Sequence, residues 1–392
     1  VAGLDYIFAL NLCLACLLMP AYWWKYISRR ALWRETDDII ADLKYMSDEI
    51  KRFGLNDANP QLFVECASLY GYRNRFAGDQ FDSVTETRKL AEGSALPRNA
   101  PNGDSWMGYF QEQCDQLLLR PPKRVVPYIS LHDWVTNPAN WETSGSSSTG
   151  YMFYTDDSGK KRKFKVRKNL VADVTDLEQL YQTVITTGTQ TNVSIEKTEL
   201  GKVRIATAAD LPNYLRQSWM LYLSGQFYLN WEGNTLEESS PQAFNRMFEM
   251  CSALRGRYSL PFDFVAEDHQ IMTDEILAIV STVHRVARAR VPREELEFFD
   301  QQSQLDLDGF KIAVLQVATP SGTISFRVLA GVMSGLRYTT LLDCAWNLIM
   351  TTTAKLWSQT ISRDASGPQW LRGDDTVLTS TNYYQVLAMR FG

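Results

Sequence analysis

Two features constrain this chain most: an apolar run ending in an aspartate, Tyr258-Ser259-Leu260-Pro261-Phe262-Asp263, and the tripeptide Gly373-Asp374-Asp375. The first predicts a buried strand over Tyr258 to Phe264 that aims Asp263 from its end. The second predicts a tight hairpin turn, because glycine enters positive φ without steric cost. A strand-end carboxylate facing a turn carboxylate offers the hard oxygen ligands that Mg2+ takes. Phosphoryl transfer from a nucleoside triphosphate needs two such ions about 3.5–4 Å apart.

Each motif alone is weak. An Asp-x4-Asp pair such as Asp263 and Asp268 is ordinarily a helix cap or a solvated acid pair. Ser334-Gly335 before Thr339 is an ordinary loop entering a helix, and the charged segment around Lys202 is an ordinary strand edge. The order and spacing of all of them together carry the argument.

Taken together, they resemble the RNA-dependent RNA polymerases of RNA viruses, and most the totivirus-like enzymes of double-stranded RNA viruses. Asp263 and Asp268 match the first palm motif. Ser334-Gly335-x-Arg337-x-Thr339-Thr340 matches the second, and Gly373-Asp374-Asp375 the third. Upstream, Lys197-x-Glu199-x-Gly201-Lys202-x-Arg204 resembles the basic fingers motif, and Trp141-x-Thr143-x-Gly145-Ser146 loosely resembles a template-guiding loop.

The resemblance implies an α+β right-hand polymerase with fingers and an RRM-like palm. The thumb would be largely absent, since the sequence stops 17 residues after Asp375. It implies an N-terminal helical extension and outer fingers over 1–120, fingers with the basic motif over 121–250, and a palm over 251–392 with a fingers insertion at about 270–325. Asp263, Asp374 and Asp375 would be the catalytic metal ligands for two Mg2+ or Mn2+ ions. Lys197, Lys202 and Arg204 would grip the triphosphate, and Asp268 would accept from the ribose hydroxyls. Ser334, Gly335 and Thr339 would complete the nucleotide site, the first two as a mobile loop. The implied partners are an RNA template and product strand, ribonucleoside triphosphates and a viral capsid protein, with no membrane. The implied location is the host cytoplasm, within a virus particle. The rival reading is a non-catalytic RNA-binding or assembly module derived from a polymerase.

One position departs from the family. Where the second motif ends in asparagine, this chain has Asp343. Thr339, Asp343 and Asn347 are spaced by four and share one helix face. A carboxylate still accepts from a 2′-hydroxyl but cannot donate as an amide does. Asp343 is therefore expected to accept the ribose hydroxyl, with Asn347 a substitute one turn away. Two close carboxylates, here Asp343 and Asp268, push one pKa upward.

The rest of the sequence sets limits. With 45% hydrophobic and 22% charged residues and a net charge of −5, the chain is globular and does not coat nucleic acid with a basic surface. Six cysteines in 392 residues make no disulfide scaffold. Cys13-x-x-Cys16 lies in an apolar run without nearby histidines, and the three histidines show no metal-ligand spacing. Ile7 to Trp24 is too short in its apolar core to span a bilayer and reads as a buried helix; without a basic lead it is no intact signal peptide.

Helices are expected over Trp33 to Phe53, Asp176 to Val184, Leu211 to Trp231, Thr273 to Arg290 and Tyr338 to Trp357. A long loop is expected over Ser83 to Asp104 and a flexible stretch over Thr143 to Gly150. Tyr151 to Lys168 reads as a hairpin with a basic return strand, and Ser325 to Leu329 as a strand. Trp134, Trp141 and Trp231 are assigned to the core.

Overall fold

The computed structural model describes residues 81–94, 96–101, 103–142, 146–156, 158–199, 202–262, 264, 267–359 and 367–391. The expectations for Ile7 to Trp24, Trp33 to Phe53, Cys13, Cys16 and Asp263 lie outside these residues. The chain divides into two units, Val1–Glu86 with Ile195–Ala206, and Thr87–Ser194 with Thr207–Gly392.

The segment expected as a loop from Ser83 opens with a helix, α1 (Ser83–Glu92). Asp82 caps it, accepting from Val84 N at 3.0 Å and the Thr85 hydroxyl at 2.5 Å. Gly93 stops it with φ +69°. The Asn, Pro and Gly residues that suggested a loop lie beyond that stop. Next come α2 (Trp106–Gln113), which runs into a π-helical turn, and α3 (Leu131–Thr136), capped by Ser105 and Ser130 respectively.

β1 (Ser146–Thr155) and β2 (Lys161–Arg167) form the expected hairpin. Its first strand reaches into the serine run read as flexible, because Ser146 pairs with Arg167 through backbone groups that ask nothing of the side chains. α4 (Leu177–Thr186) begins on Asp176, whose carboxylate accepts from Glu178 N and Gln179 N. β3 (Thr191–Glu199) and β4 (Lys202–Ala208) precede α5 (Leu211–Leu223), which Asp210 caps. α5 ends well before Trp231 because Gly225 and Gln226 turn the chain with φ of 63° and 55°.

α6 (Ser240–Leu254) leads to β5 (Tyr258–Phe262). Two helices, α7 (Thr273–Arg288) and α8 (Leu296–Lys311), and the strands β6 (Val314–Thr319) and β7 (Gly322–Arg327) follow. The last elements are α9 (Thr339–Ser358), β8 (Trp370–Arg372), β9 (Asp375–Ser380) and α10 (Tyr383–Phe391). Among the described residues no helix is long and apolar enough to cross a membrane.

Three sheets result: β1-β2, β4-β3-β6-β7 and β5-β9-β8. β5 is an edge strand, and Tyr258, Ser259 and Pro261 on it are exposed rather than buried as expected. An edge tolerates Pro261, which has no N–H to give a second neighbour.

One core gathers Leu215, Trp219 and Leu223 of α5 against Trp134 and Val135 of α3 and Val184 of α4. Each such side chain taken fully from water contributes about 1.5–3 kcal/mol. Trp134, Trp141 and Trp231 are all buried, as expected. α9 is buried along most of its length, with Leu342, Ala345, Trp346 and Ile349 essentially inaccessible and polar Asn347 and Thr351 buried too, so it is a central helix.

Buried Glu275 on α7 fixes its neighbours. It accepts from Arg98 at 2.8 Å, Trp106 Nε1 at 2.7 Å, Trp346 Nε1 at 3.1 Å and Met272 N at 2.8 Å. Burial still pushes its carboxyl above the usual range, against the pull of Arg98 and the other donors.

Candidate active site

The Gly373-Asp374 turn is the two-residue loop of the β8-β9 hairpin, closed by the pairing of Arg372 with Asp375. Gly373 has φ +62°, and a Cβ there would meet nothing within 4 Å. Conformation, not space, therefore calls for glycine, as at the first loop position of a type II′ hairpin.

Three contacts clamp the turn to α9. The Asn347 amide donates to Gly373 O at 2.7 Å and accepts from the Thr376 hydroxyl at 2.7 Å. Gly373 N–H donates to Cys344 Sγ at 2.9 Å. Asn347 is fully buried, so both of its polar atoms are committed to the hairpin rather than to a ribose. Burial pushes the Cys344 thiol up to about 12, despite the opposing Gly373 N–H.

The clamp leaves Asp374 and Asp375 exposed at the tip, and Asp343 stands one helical turn before Asn347 on α9. The Asp343 carboxyl is pushed up to about 8, chiefly by burial and then by the negative charges of Asp374 and Asp268. The upward shift expected from Asp268 is present, with Asp374 the larger electrostatic cause. Asp268 is half-exposed, 3.8 Å from His269 Nε2.

Among the described residues no cation pairs with Asp343, Asp374 or Asp375. Among the same residues no group of three His, Cys, Asp or Glu side chains is close enough to hold a metal ion. Asp263 falls outside them. The donor chemistry nonetheless suits a hard divalent cation, because carboxyl oxygens from a helix (Asp343) and a turn (Asp374) lie near one another.

Ser334 and Gly335, expected to be a mobile loop, are tied to Thr207. Thr207 N donates to the Ser334 hydroxyl at 2.9 Å, and Gly335 N donates to Thr207 Oγ1 at 3.0 Å. A Cβ on Gly335 would lie 2.2 Å from Thr207 O, so this glycine is required by close approach of two backbones. The Thr339 hydroxyl donates to Met333 O and Leu336 O at 2.8 and 3.0 Å and so shapes the same loop.

Sequence reasoning missed the residue behind this loop, Gln217. Buried Gln217 accepts from Arg337 N at 3.2 Å and donates to Asp306 at 3.3 Å; Asp306 in turn meets His284 at 3.0 Å. No local pattern marks such a contact, which joins residues 120 positions apart.

Lys197, Lys202 and Arg204 lie on β3 and β4 in the unit that includes Ile195–Ala206. Lys197 and Arg204 are exposed. In the same unit the Ser83 hydroxyl donates to the Glu196 carboxylate.

No family model matches the chain. Over 262 residues, 67% of this chain, it is 24% identical to the "Probable RNA-directed RNA polymerase" of Giardia lamblia virus (isolate Wang). It spans 13% of that protein's length. Among solved structures, "Sicinivirus 3Dpol RNA dependent RNA polymerase" superposes with a TM-score of 0.50 at 12% identity, covering 78% of this chain and 64% of that one. The chain therefore has the α+β right-hand fold of a viral RNA polymerase.

Proposed function

We propose that this chain carries the catalytic centre of an RNA-dependent RNA polymerase, which joins ribonucleoside triphosphates to the 3′ end of an RNA strand on an RNA template. The observation that carries this reading is the hairpin clamp: Asn347 and Cys344 of α9 hold Gly373 so that Asp374 joins Asp343 and Asp268. The similarity to viral polymerases in sequence and fold supports it.

Asp374 and Asp375, with Asp263, would hold two Mg2+ or Mn2+ ions, which when bound supply activation of the attacking 3′-hydroxyl and neutralisation of the triphosphate. The protein's own contribution is positioning. The clamp fixes where Asp374 stands, and a metal ligand displaced by 1 Å costs rate steeply. Asp343, on the same side as Asp268, accepts the ribose hydroxyl. Lys202 and Arg204 neutralise the triphosphate, arginine through a fork of hydrogen bonds and lysine as a point charge, with Lys197 beside them.

The test is incorporation of labelled nucleotide on an RNA template with and without divalent cation. Loss of a ligand should remove several kcal/mol of charge stabilisation, so Asp374→Asn should lower the rate by about a thousandfold. Incorporation that needs no divalent cation, or that Asp374→Asn leaves intact, overturns the proposal.

A further inference from the structure

Behind the Ser334-Gly335 loop a polar relay crosses three helices. Arg337 N–H donates to Gln217 Oε1 of α5 at 3.2 Å, and Gln217 Nε2 donates to one Asp306 oxygen of α8 at 3.3 Å. The other Asp306 oxygen meets His284 Nε2 of α7 at 3.0 Å. Gln217, Asp306 and His284 are all buried, and none of them belongs to the acidic centre or to the loop itself.

Stability alone does not call for a carboxylate here. A buried charge is expensive, and a well-packed apolar group in its place is often as stable or more so. Arg216, next to Gln217 on α5 and equally buried, offsets part of that cost. Burial lowers the Arg216 pKa, and Asp306 is the first of the charges that pull it back up.

The acceptor-only character of the Asp306 carboxylate sets the direction of the relay. It turns the amine of Gln217 toward itself and so leaves the Gln217 oxygen for Arg337 N–H. It likewise holds the His284 proton on Nε2, while Nδ1 is buried without a partner. An amide at 306 would reverse this order. Its oxygen would serve His284 and its amine would face Gln217, which would have to rotate and turn its own amine toward Arg337 N–H.

Asp306 also faces the next residue along. Tyr338 is fully buried, and its ring stacks on Phe310 of α8 at 6.4 Å and 17°. Burial, and then the negative charge of Asp306, pushes its phenol well above the usual value. Arg337 and Tyr338 are the last residues before α9 begins at Thr339, and Asp343 stands one turn into that helix. Thr207 holds the loop at Ser334 and Gly335, and the relay holds its other end at Arg337.

We infer that Gln217 and Asp306 are positioning residues for the nucleotide site: they fix the backbone of Arg337, and through it the Ser334-Gly335 loop and the turn of α9 that carries Asp343. The inference rests on the polymerase reading of the centre. Both side chains are buried, so they act through the loop and not by touching substrate. The metal ligands stand elsewhere, on the β8-β9 hairpin and at Asp263. Loss of the relay therefore weakens nucleotide binding more than it slows chemistry.

Exchanging the two ends of the relay tests this. Asp306→Asn and Gln217→Glu each break the order of donors and acceptors. The double variant restores it, the new carboxylate accepting from Arg337 N–H and from the new amide, whose oxygen accepts from His284. In steady-state incorporation on an RNA template, each single variant should raise KM for the nucleotide about fivefold, the worth of one hydrogen bond, with kcat within about twofold. The double variant should return KM to within about twofold of the parent. Hydrogen exchange reads the relay without catalysis. Peptides covering 333–338 should take up deuterium faster in each single variant and at the parent rate in the double, while peptides over α6 stay unchanged. If Asp306→Asn does not fold, Gln217→Met, which keeps the volume and leaves Asp306 with His284, takes its place. Uptake over 333–338 that is unchanged in the single variants, or a double variant no better than they are, overturns the relay. A fall in kcat with KM unchanged overturns the positioning role. A parent chain that incorporates nothing counts against the polymerase reading instead, and the exchange measurement still decides the relay.

Discussion

Asn347→Ala tests the hairpin clamp most directly. The substitution removes a donor from Gly373 O and an acceptor from the Thr376 hydroxyl, both bonds 2.7 Å long and both in buried surroundings. A buried polar group left without a partner costs about 1–3 kcal/mol, so two such groups, partly relieved by relaxation, give an expected loss of about 2–4 kcal/mol. The loss should be local. Hydrogen exchange followed by mass spectrometry should show faster deuterium uptake in peptides covering 370–378 than in peptides from α5. Thr376→Val, which breaks only the second bond, should cost about 1–2 kcal/mol. The double variant should then cost about 1 kcal/mol less than the sum, because the two changes remove one shared bond. Strict additivity, or uptake over 370–378 unchanged by Asn347→Ala, would refute the clamp.

Four further outcomes follow from the geometry. Glu275→Ala strands Arg98, whose side chain is 7% exposed, and two indole N–H groups; it should cost about 3–5 kcal/mol in urea unfolding, while Glu275→Gln, which keeps an acceptor, should cost clearly less. Gly335→Ala should destabilise through backbone collision, by about 1–3 kcal/mol, whereas Gly373→Ala, with open space at its Cβ, should cost about 1–2 kcal/mol through its left-handed conformation; only the second should be spared by a D-alanine introduced by ligation. The hydrogen bond from His132 to Glu178 raises the histidine pKa above 6.5 and lowers that of the glutamate below 4.5, so the pair stabilises the fold between those limits and its contribution is lost as pH rises through the histidine value; with three histidines in the chain an NMR titration can show this, and Glu178→Gln should move His132 back down. Asp343→Ala should lower the preference for ribo- over deoxynucleotides in the incorporation assay, and an unchanged preference would remove Asp343 from sugar recognition.

How much of this was legible depends on the range of the forces involved. The glycine of the 373 turn, the hairpin before Lys168 and the start of α4 at Asp176 follow from local steric and capping rules, and sequence shows such rules directly. The cap of α1 was equally local, but Asp82 and Gly93 were hidden by the Asn, Pro and Gly residues just after them. The end of α5 was misjudged because apolar and aromatic residues continue to Trp231, and only the positive φ of Gly225 and Gln226 breaks the helix. The apolar look of Tyr258 to Phe262 suggested burial, yet a sheet edge leaves most of that strand open to solvent. At the site, Asp343 was visible as a departure from a pattern. The duty of Asn347 was not, because its partners lie 26 and 29 residues away and no spacing rule reaches them.

Cys344 adds a consequence of its own. A buried thiol whose pKa stands near 12 is almost never a thiolate, so alkylating reagents pass it by while the Gly373 N–H covers its sulfur. It reacts only in the fraction of time that the hairpin is lifted from α9. Its labelling rate is thus a stopwatch for the Gly373-Asp374 turn, with exposed Cys251 as the internal standard for reagent strength. Any nucleotide, cation or RNA that seats itself on Asp374 and steadies the turn should slow that clock, so occupancy of the centre can be timed in a protein that is not turning over.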